Sequence, residues 1–119
     1  MIKIRGYLIT YKPFDGISRA TFHHVLFGRL TTRNYRNKKY TYYKPGMIHK
    51  TPFIRIINSK IFVIDLENIN VEELRIFGDI TVDECERELT IDSLKTGEEY
   101  WRDIAKERGL DFNVKKNRK

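Results

Sequence analysis

Phe53-Ile54-Arg55-Ile56-Ile57, Asn58-Ser59, Lys60-Ile61-Phe62-Val63-Ile64: these twelve residues read as two strands joined by a short turn. β-Branched and aromatic side chains suit a pleated, half-buried surface, and Asn-Ser supplies the reversal. The flanking sequence extends the strand pattern on the N-terminal side. Lys39-Tyr40-Thr41-Tyr42-Tyr43 reads as a strand that Pro45-Gly46 ends, and Asn34-Tyr35-Arg36-Asn37-Lys38 as the hairpin tip that leads into it. Residues 20–33 are expected to form the partner strand, with Phe22, His24, Leu26, Gly28 and Leu30 on one side and a bend at Gly28. Ile2 to Tyr11 alternates as a first strand, with Ile2, Ile4 and Leu8 on one face and Lys3, Arg5 and Tyr7 on the other. Pro13-Phe14-Asp15-Gly16 then turns the chain.

Near residue 65 the texture changes. Asn70-Val71-Glu72-Glu73-Leu74 resembles a capped helical turn, with Asn70 as N-cap. Leu74 to Val82 reads as a further strand broken at Gly78, and residues 83–95 carry no readable pattern. Thr96 and Glu99 make a capping box, and Gly109 terminates the helix they open. Tyr100, Trp101, Ile104 and Ala105 share one face of that helix. The expectation is a β-rich α+β fold: a small curled antiparallel sheet or partly open barrel of four to six strands, with the C-terminal helix packed on it. A length of 119 residues fits one domain, 1–114, with a β-rich half (1–65), a second half (66–114) and a tail, 115–119.

Charge divides these halves sharply. Residues 1–60 hold 13 Lys and Arg against one acid, Asp15, a net of +12. Residues 61–114 hold 6 Lys and Arg against 15 Asp and Glu, a net of −9, and the tail Lys115-Lys116-Asn117-Arg118-Lys119 adds +4. Soluble surfaces ordinarily mix both signs, because a single-sign field repels itself. A segment this basic implies a polyanion that neutralises it, or an acidic half folded back over it. Ten of the fifteen aromatic residues also lie in the basic half. Phe22, Phe27 and Phe53 read as core, whereas the tyrosines have polar tips that suit exposure and base stacking.

The densest candidate site is Arg33, Asn34, Tyr35, Arg36, Asn37, Lys38 and Lys39, followed by Tyr40 and Tyr42. Cations reach phosphates, amides reach base edges or simply shape the turn, and the rings stack on bases. On a strand, Tyr40 and Tyr42 share one face and Tyr43 takes the other, pointing inward. Lys3, Arg5, Arg29 and Lys44 extend the basic surface, with Lys12, Arg19, Lys50 and Arg55 as further candidates. Lys115, Lys116 and Arg118 form a tail expected to be disordered when free and to order on a phosphate backbone.

Catalytic and metal-binding constellations do not emerge. Cys85 is the single cysteine and stands among Asp83, Glu84 and Glu86, which suits an inert thiol. His23 and His24 on a strand would point to opposite faces, and no zinc, phosphate-loop or carboxylate motif accompanies them. No cofactor, metal or small-molecule substrate is expected, and no enzymatic activity. The longest apolar runs, such as Ile61-Phe62-Val63-Ile64, fall far short of the about eighteen residues that cross a membrane. The N-terminus has no signal-peptide pattern, so a cytoplasmic location is expected. Glutamine is absent while isoleucine and lysine abound, an archaeal-like bias that suits a thermophile and equally a low-GC genome. The expected function is non-catalytic nucleic-acid binding, with RNA favoured, as a structural or accessory component of a ribonucleoprotein such as the ribosome. The alternatives are a DNA-binding protein of replication, repair or chromatin, acting on single strands or duplex, and an adaptor whose acidic half, 66–114, holds a protein neighbour.

Overall fold

The computed structural model describes residues 1–16, 19–57 and 59–114. Along the chain run β1 (Ile2–Pro13), α1 (Arg19–Phe27), β2 (Gly28–Tyr35), β3 (Lys38–Pro45), β4 (Phe53–Ile56) and β5 (Lys60–Val63). There follow α2 (Val71–Leu74), β6 (Gly78–Leu89), a 3-10 turn at Ile91–Ser93, α3 (Gly97–Glu107) and β7 (Asn113–Val114). The strands build two sheets, one ordered β4-β5-β1-β6 and one ordered β2-β3-β7. The first sheet is antiparallel throughout, and in the second β7 runs parallel to β3. The fold is thus α+β and strand-rich, and among the described residues its strands do not close into a barrel. No helix among the described residues is long and apolar enough to cross a membrane.

The hairpin read from Phe53 to Ile64 is present as β4 and β5, with Phe53 opposite Val63 and Ile56 opposite Lys60; Asn58 of its turn lies outside the described residues. The N-terminal strand is also present, but its main partner is β6, paired from Ile2↔Leu89 to Pro13↔Gly78. β5 covers only Tyr7 to Thr10 of β1. Strand β6 thus starts at Gly78 rather than crossing it and continues to Leu89, through residues that carry no strand pattern of their own.

The expected strand over residues 20–33 is a correction of a different kind: its first part is helical, α1 ending at Phe27. Phe22 and Leu26 fit a strand at period two, but they are also i and i+4 on a helix, and with Phe27 they are the buried residues of α1. A nine-residue helix is marginal alone. Here the core holds it: Phe22 stacks on Tyr11 at 4.9 Å between ring centroids, among buried Ile9, Ile61, Leu74 and Ile80. Each such side chain contributes about 1.5–3 kcal/mol on full burial, well beyond the propensity differences that separate helix from strand.

Gly28 ends the helix in the left-handed region, at φ 84°, and begins β2 directly. A β-carbon there would sit 2.4 Å from the Lys44 carbonyl oxygen, so both the dihedral and the space exclude a side chain. The loop after β3 then closes over the helix end, with Met47 and Ile48 donating their amides to the Val25 and Leu26 carbonyls. α2 is capped by Asn70, which accepts from the Glu73 amide, and α3 by the Thr96–Glu99 capping box. From α3, the Trp101 indole donates to the Phe27 carbonyl at 2.8 Å and the Gly97 amide to Ile48.

Gly28→Ala is expected to lower the denaturant midpoint more than Gly109→Ala. Both glycines have positive φ, which costs a side chain about 1–2 kcal/mol, but only Gly28 also meets backbone within van der Waals reach. Equal losses in equilibrium urea unfolding would show that the junction between α1 and β2 is not a tight constraint.

Candidate nucleic-acid interface

The β2–β3 hairpin has a two-residue turn at Arg36 and Asn37, both left-handed at φ 49° and 65°. Positive φ at both central residues is the turn that matches the right-handed twist of the flanking strands. Register then sorts the side chains. The cross-strand pairs Arg29–Lys44, Thr31–Tyr42, Arg33–Tyr40 and Tyr35–Lys38 share one face, because residues two apart on a strand point the same way. The pairs Leu30–Tyr43, Thr32–Thr41 and Asn34–Lys39 share the other.

The second face is closed over near its base. Tyr43 is fully buried, its ring stacked 5.6 Å from that of Phe112 and its hydroxyl 3.2 Å from His49 Nδ1. Burial, with Glu98 nearby, pushes the Tyr43 hydroxyl up to about 12, so it stays a neutral phenol. The buried Thr41 amide donates to Asp111 Oδ1, and its carbonyl accepts from Asn113 Nδ2, each at 3.0 Å. Tyr43 therefore packs inward, and Tyr40 and Tyr42 lie together on the opposite, partly exposed face.

That outer face carries Arg29, Arg33, Lys38 and Lys44 interleaved with Tyr35, Tyr40 and Tyr42. At the tip, Arg33 to Lys39 are all exposed, and the Arg36 guanidinium lies 5.3 Å from the Tyr35 ring centroid. Among the described residues, none of these cations forms an ion pair. Asn34 and Lys39 project from the other side of the tip, beyond the covering segment.

Lys3 and Arg5 are placed elsewhere. They sit on β1 opposite Glu88 and Glu86, and Arg5 reaches Glu84 at 3.7 Å. Lys12 likewise faces Asp79. Part of the acidic half thus lies against the cations of β1 and leaves those of the hairpin alone. The tail residues Lys115, Lys116 and Arg118 lie outside the described residues. The last described strand, β7, brings Asn113 and Val114 beside Tyr42 and Tyr43 at the edge of the hairpin sheet.

A second group of residues was not legible as a site. His23 and His24 lie on α1, about 100° apart, so the strand geometry that set them on opposite faces does not apply. Both line a pocket with Arg29, Arg55, Trp101 and Arg108. Arg55 lays its guanidinium over the Phe27 ring at 4.8 Å and donates to the Tyr100 hydroxyl at 3.3 Å. Desolvation works against its charge, but the Tyr100 and Tyr11 hydroxyls outweigh it, so the net shift is upward and Arg55 is a fixed cation. The one available sign was Arg55 itself, a cation set alone in an apolar strand. Among the described residues no three His, Cys, Asp or Glu side chains gather as a metal site would require. Compared with protein-family models, curated proteins and solved structures, the chain matches none.

His23 is held below the ordinary histidine value of 6.5, by burial first and then by Arg55, Arg19 and His24; the Tyr11 and Phe27 rings also face it. The folded protein therefore keeps His23 neutral at a pH where the unfolded chain has begun to protonate it. The stability this confers is complete above 6.5 and is lost as pH falls from there toward the lower folded value. Urea midpoints at pH 7.5 and 5 should drop less for His23→Gln than for the unaltered chain. An identical drop in both would remove His23 from the acid response.

Proposed function

We propose that this chain is a non-catalytic nucleic-acid-binding protein that holds RNA along the outer face of the β2–β3 hairpin, as an accessory component of a cytoplasmic ribonucleoprotein such as the ribosome. One observation carries the reading: the register gathers Arg29, Arg33, Lys38 and Lys44 with three tyrosines on one face, without carboxylate partners. Cations without carboxylate partners attract phosphates and release counterions on contact, and rings between them stack on unpaired bases. RNA is favoured because its loops and single strands present bases that can be splayed onto tyrosine, and a protruding basic hairpin suits them. In this reading α3 is a buttress laid on the sheets, supported by the Trp101 bond to Phe27 and the burial of Ala105. The acidic β6 belongs to the surface turned away from the strand or toward a protein neighbour.

Binding to a single-stranded oligoribonucleotide should weaken steeply with salt, and Arg33→Ala with Lys38→Ala should flatten the log–log slope by about 1.4, roughly 0.7 per lost phosphate contact. Lys3→Ala with Arg5→Ala should leave the slope unchanged, since those cations sit among carboxylates. Tyr40→Leu should cost about 1–3 kcal/mol if a base stacks there. Fluorescence anisotropy at several salt concentrations reads all three. Salt-independent binding, or an equal response from the β1 pair, would overturn the hairpin assignment. Tighter binding of single-stranded or duplex DNA in competition would replace RNA as the partner.

A further inference from the structure

We propose that the pocket between α1, the start of β2 and α3 is a nucleotide-phosphate site, which anchors one phosphate of the strand held by the hairpin. The identity of the strand rests on the hairpin reading; the pocket and its chemistry do not. The cavity measures about 350 Å³, within the range of small-ligand sites. Its chemistry comes from His23, His24, Arg29, Arg55, Trp101 and Arg108, and none of its lining residues is acidic. Three arginines in one lining without a carboxylate favour an anion, and the planar fork of arginine suits phosphate oxygens.

The site is built rather than incidental. Arg55 is held between the Phe27 ring and the Tyr100 hydroxyl, and among the described residues it has no ion-pair partner. The Trp101 ring is fixed by its bond to the Phe27 carbonyl, so the aromatic wall has a set orientation against which a nucleoside can lie. His23 is kept neutral, leaving one ring nitrogen to donate to a phosphate oxygen without adding charge.

Position ties this pocket to the hairpin. A neighbouring depression is lined by Thr21, His24, Val25, Arg29, Lys44 and Pro45, so His24 and Arg29 border both. Arg29 and Lys44 are a cross-strand pair on the outer hairpin face. His24 and Arg29 thus join the base of the outer hairpin face to the cavity that Arg55 and Arg108 help to line.

Trp101 is the only tryptophan, so the tryptophan emission of the chain comes from a residue of this lining. Titrating the full chain with adenosine 5′-monophosphate should give a saturable emission change that inorganic phosphate competes away and that adenosine does not produce. Arg108→Ala and Arg29→Ala should each weaken the apparent affinity at least fivefold, while Lys3→Ala, opposite Glu88 on β1, leaves it unchanged. Arg55→Lys, which keeps the charge but loses the fork, should weaken it as well. Absence of a saturable change, or wild-type affinity in both Arg108→Ala and Arg29→Ala, would overturn the site. Oligoribonucleotides with a 5′-phosphate or a 5′-hydroxyl separate the sources: a change with both assigns the pocket to an internal phosphate, and a change with the first alone to a strand end. Salt-sensitive hairpin binding with unmoved emission would sink the pocket only. Monophosphate binding alongside a salt slope that ignores the hairpin substitutions would sink the hairpin only.

Discussion

The antiparallel ladder between β1 and β6 sets the terms for the rest of the molecule. It pairs twelve residues of each strand, and its period of two sends Ile9, Tyr11, Ile80 and Val82 to one face, where α1 and α2 close the core. The same register sets Lys3 opposite Glu88, Arg5 opposite Glu86 and Lys12 opposite Asp79. Exposed pairs of this kind add little stability each, and salt screens them. Their consequence is one of placement: a strand rich in Asp and Glu is held beside the basic N-terminal strand, and the repulsion within each is relieved. β6 has few apolar residues of its own, and it is a strand because β1 gives it a partner.

With β6 committed to β1, the hairpin keeps its charge. Its inner face is secured by Tyr43 and Thr41 against the chain from Asp111 to Asn113. Those buried contacts fix which way the outer face looks, because one slip in register would exchange the two sets of side chains entirely. A tyrosine in the core and two tyrosines beside cations are therefore one structural fact, determined by the pairing of Leu30 with Tyr43. The left-handed turn at Arg36 and Asn37 completes it by holding that register at the tip.

Much of this was legible in the residues themselves. Local signals with a mechanism proved dependable: the hairpin from Phe53 to Ile64, the caps at Asn70 and Thr96, the tip around Arg36, and the opposite faces of Tyr42 and Tyr43. What failed was decided at a distance. Phe22, His24 and Leu26 satisfy a strand period, and only the core formed by Tyr11, Ile48 and Leu74 selects the helical one. Residues 83–89 alternate weakly and are dominated by carboxylates, so their strand state is invisible without β1. The two sheets follow from the same source, since a helix at Arg19–Phe27 separates β1 from β2 and prevents one continuous curl.

The helical state of α1 also changes what its histidines can do. Two adjacent histidines on a strand are divided by the sheet, but on a helix both remain within reach of one concavity. Gly28 then turns the chain at once into β2, so that Arg29 stands at the mouth of that concavity and at the base of the hairpin face. In the proposed reading, hairpin and pocket would contribute differently to one ligand. Exposed cations on a hairpin would supply salt-dependent attraction without strict geometry. An arginine held between an aromatic ring and a phenol, in one lining with an oriented indole, would supply geometry with little reorganisation. A strand held only by the first would slide, and one phosphate seated in the second would set its register.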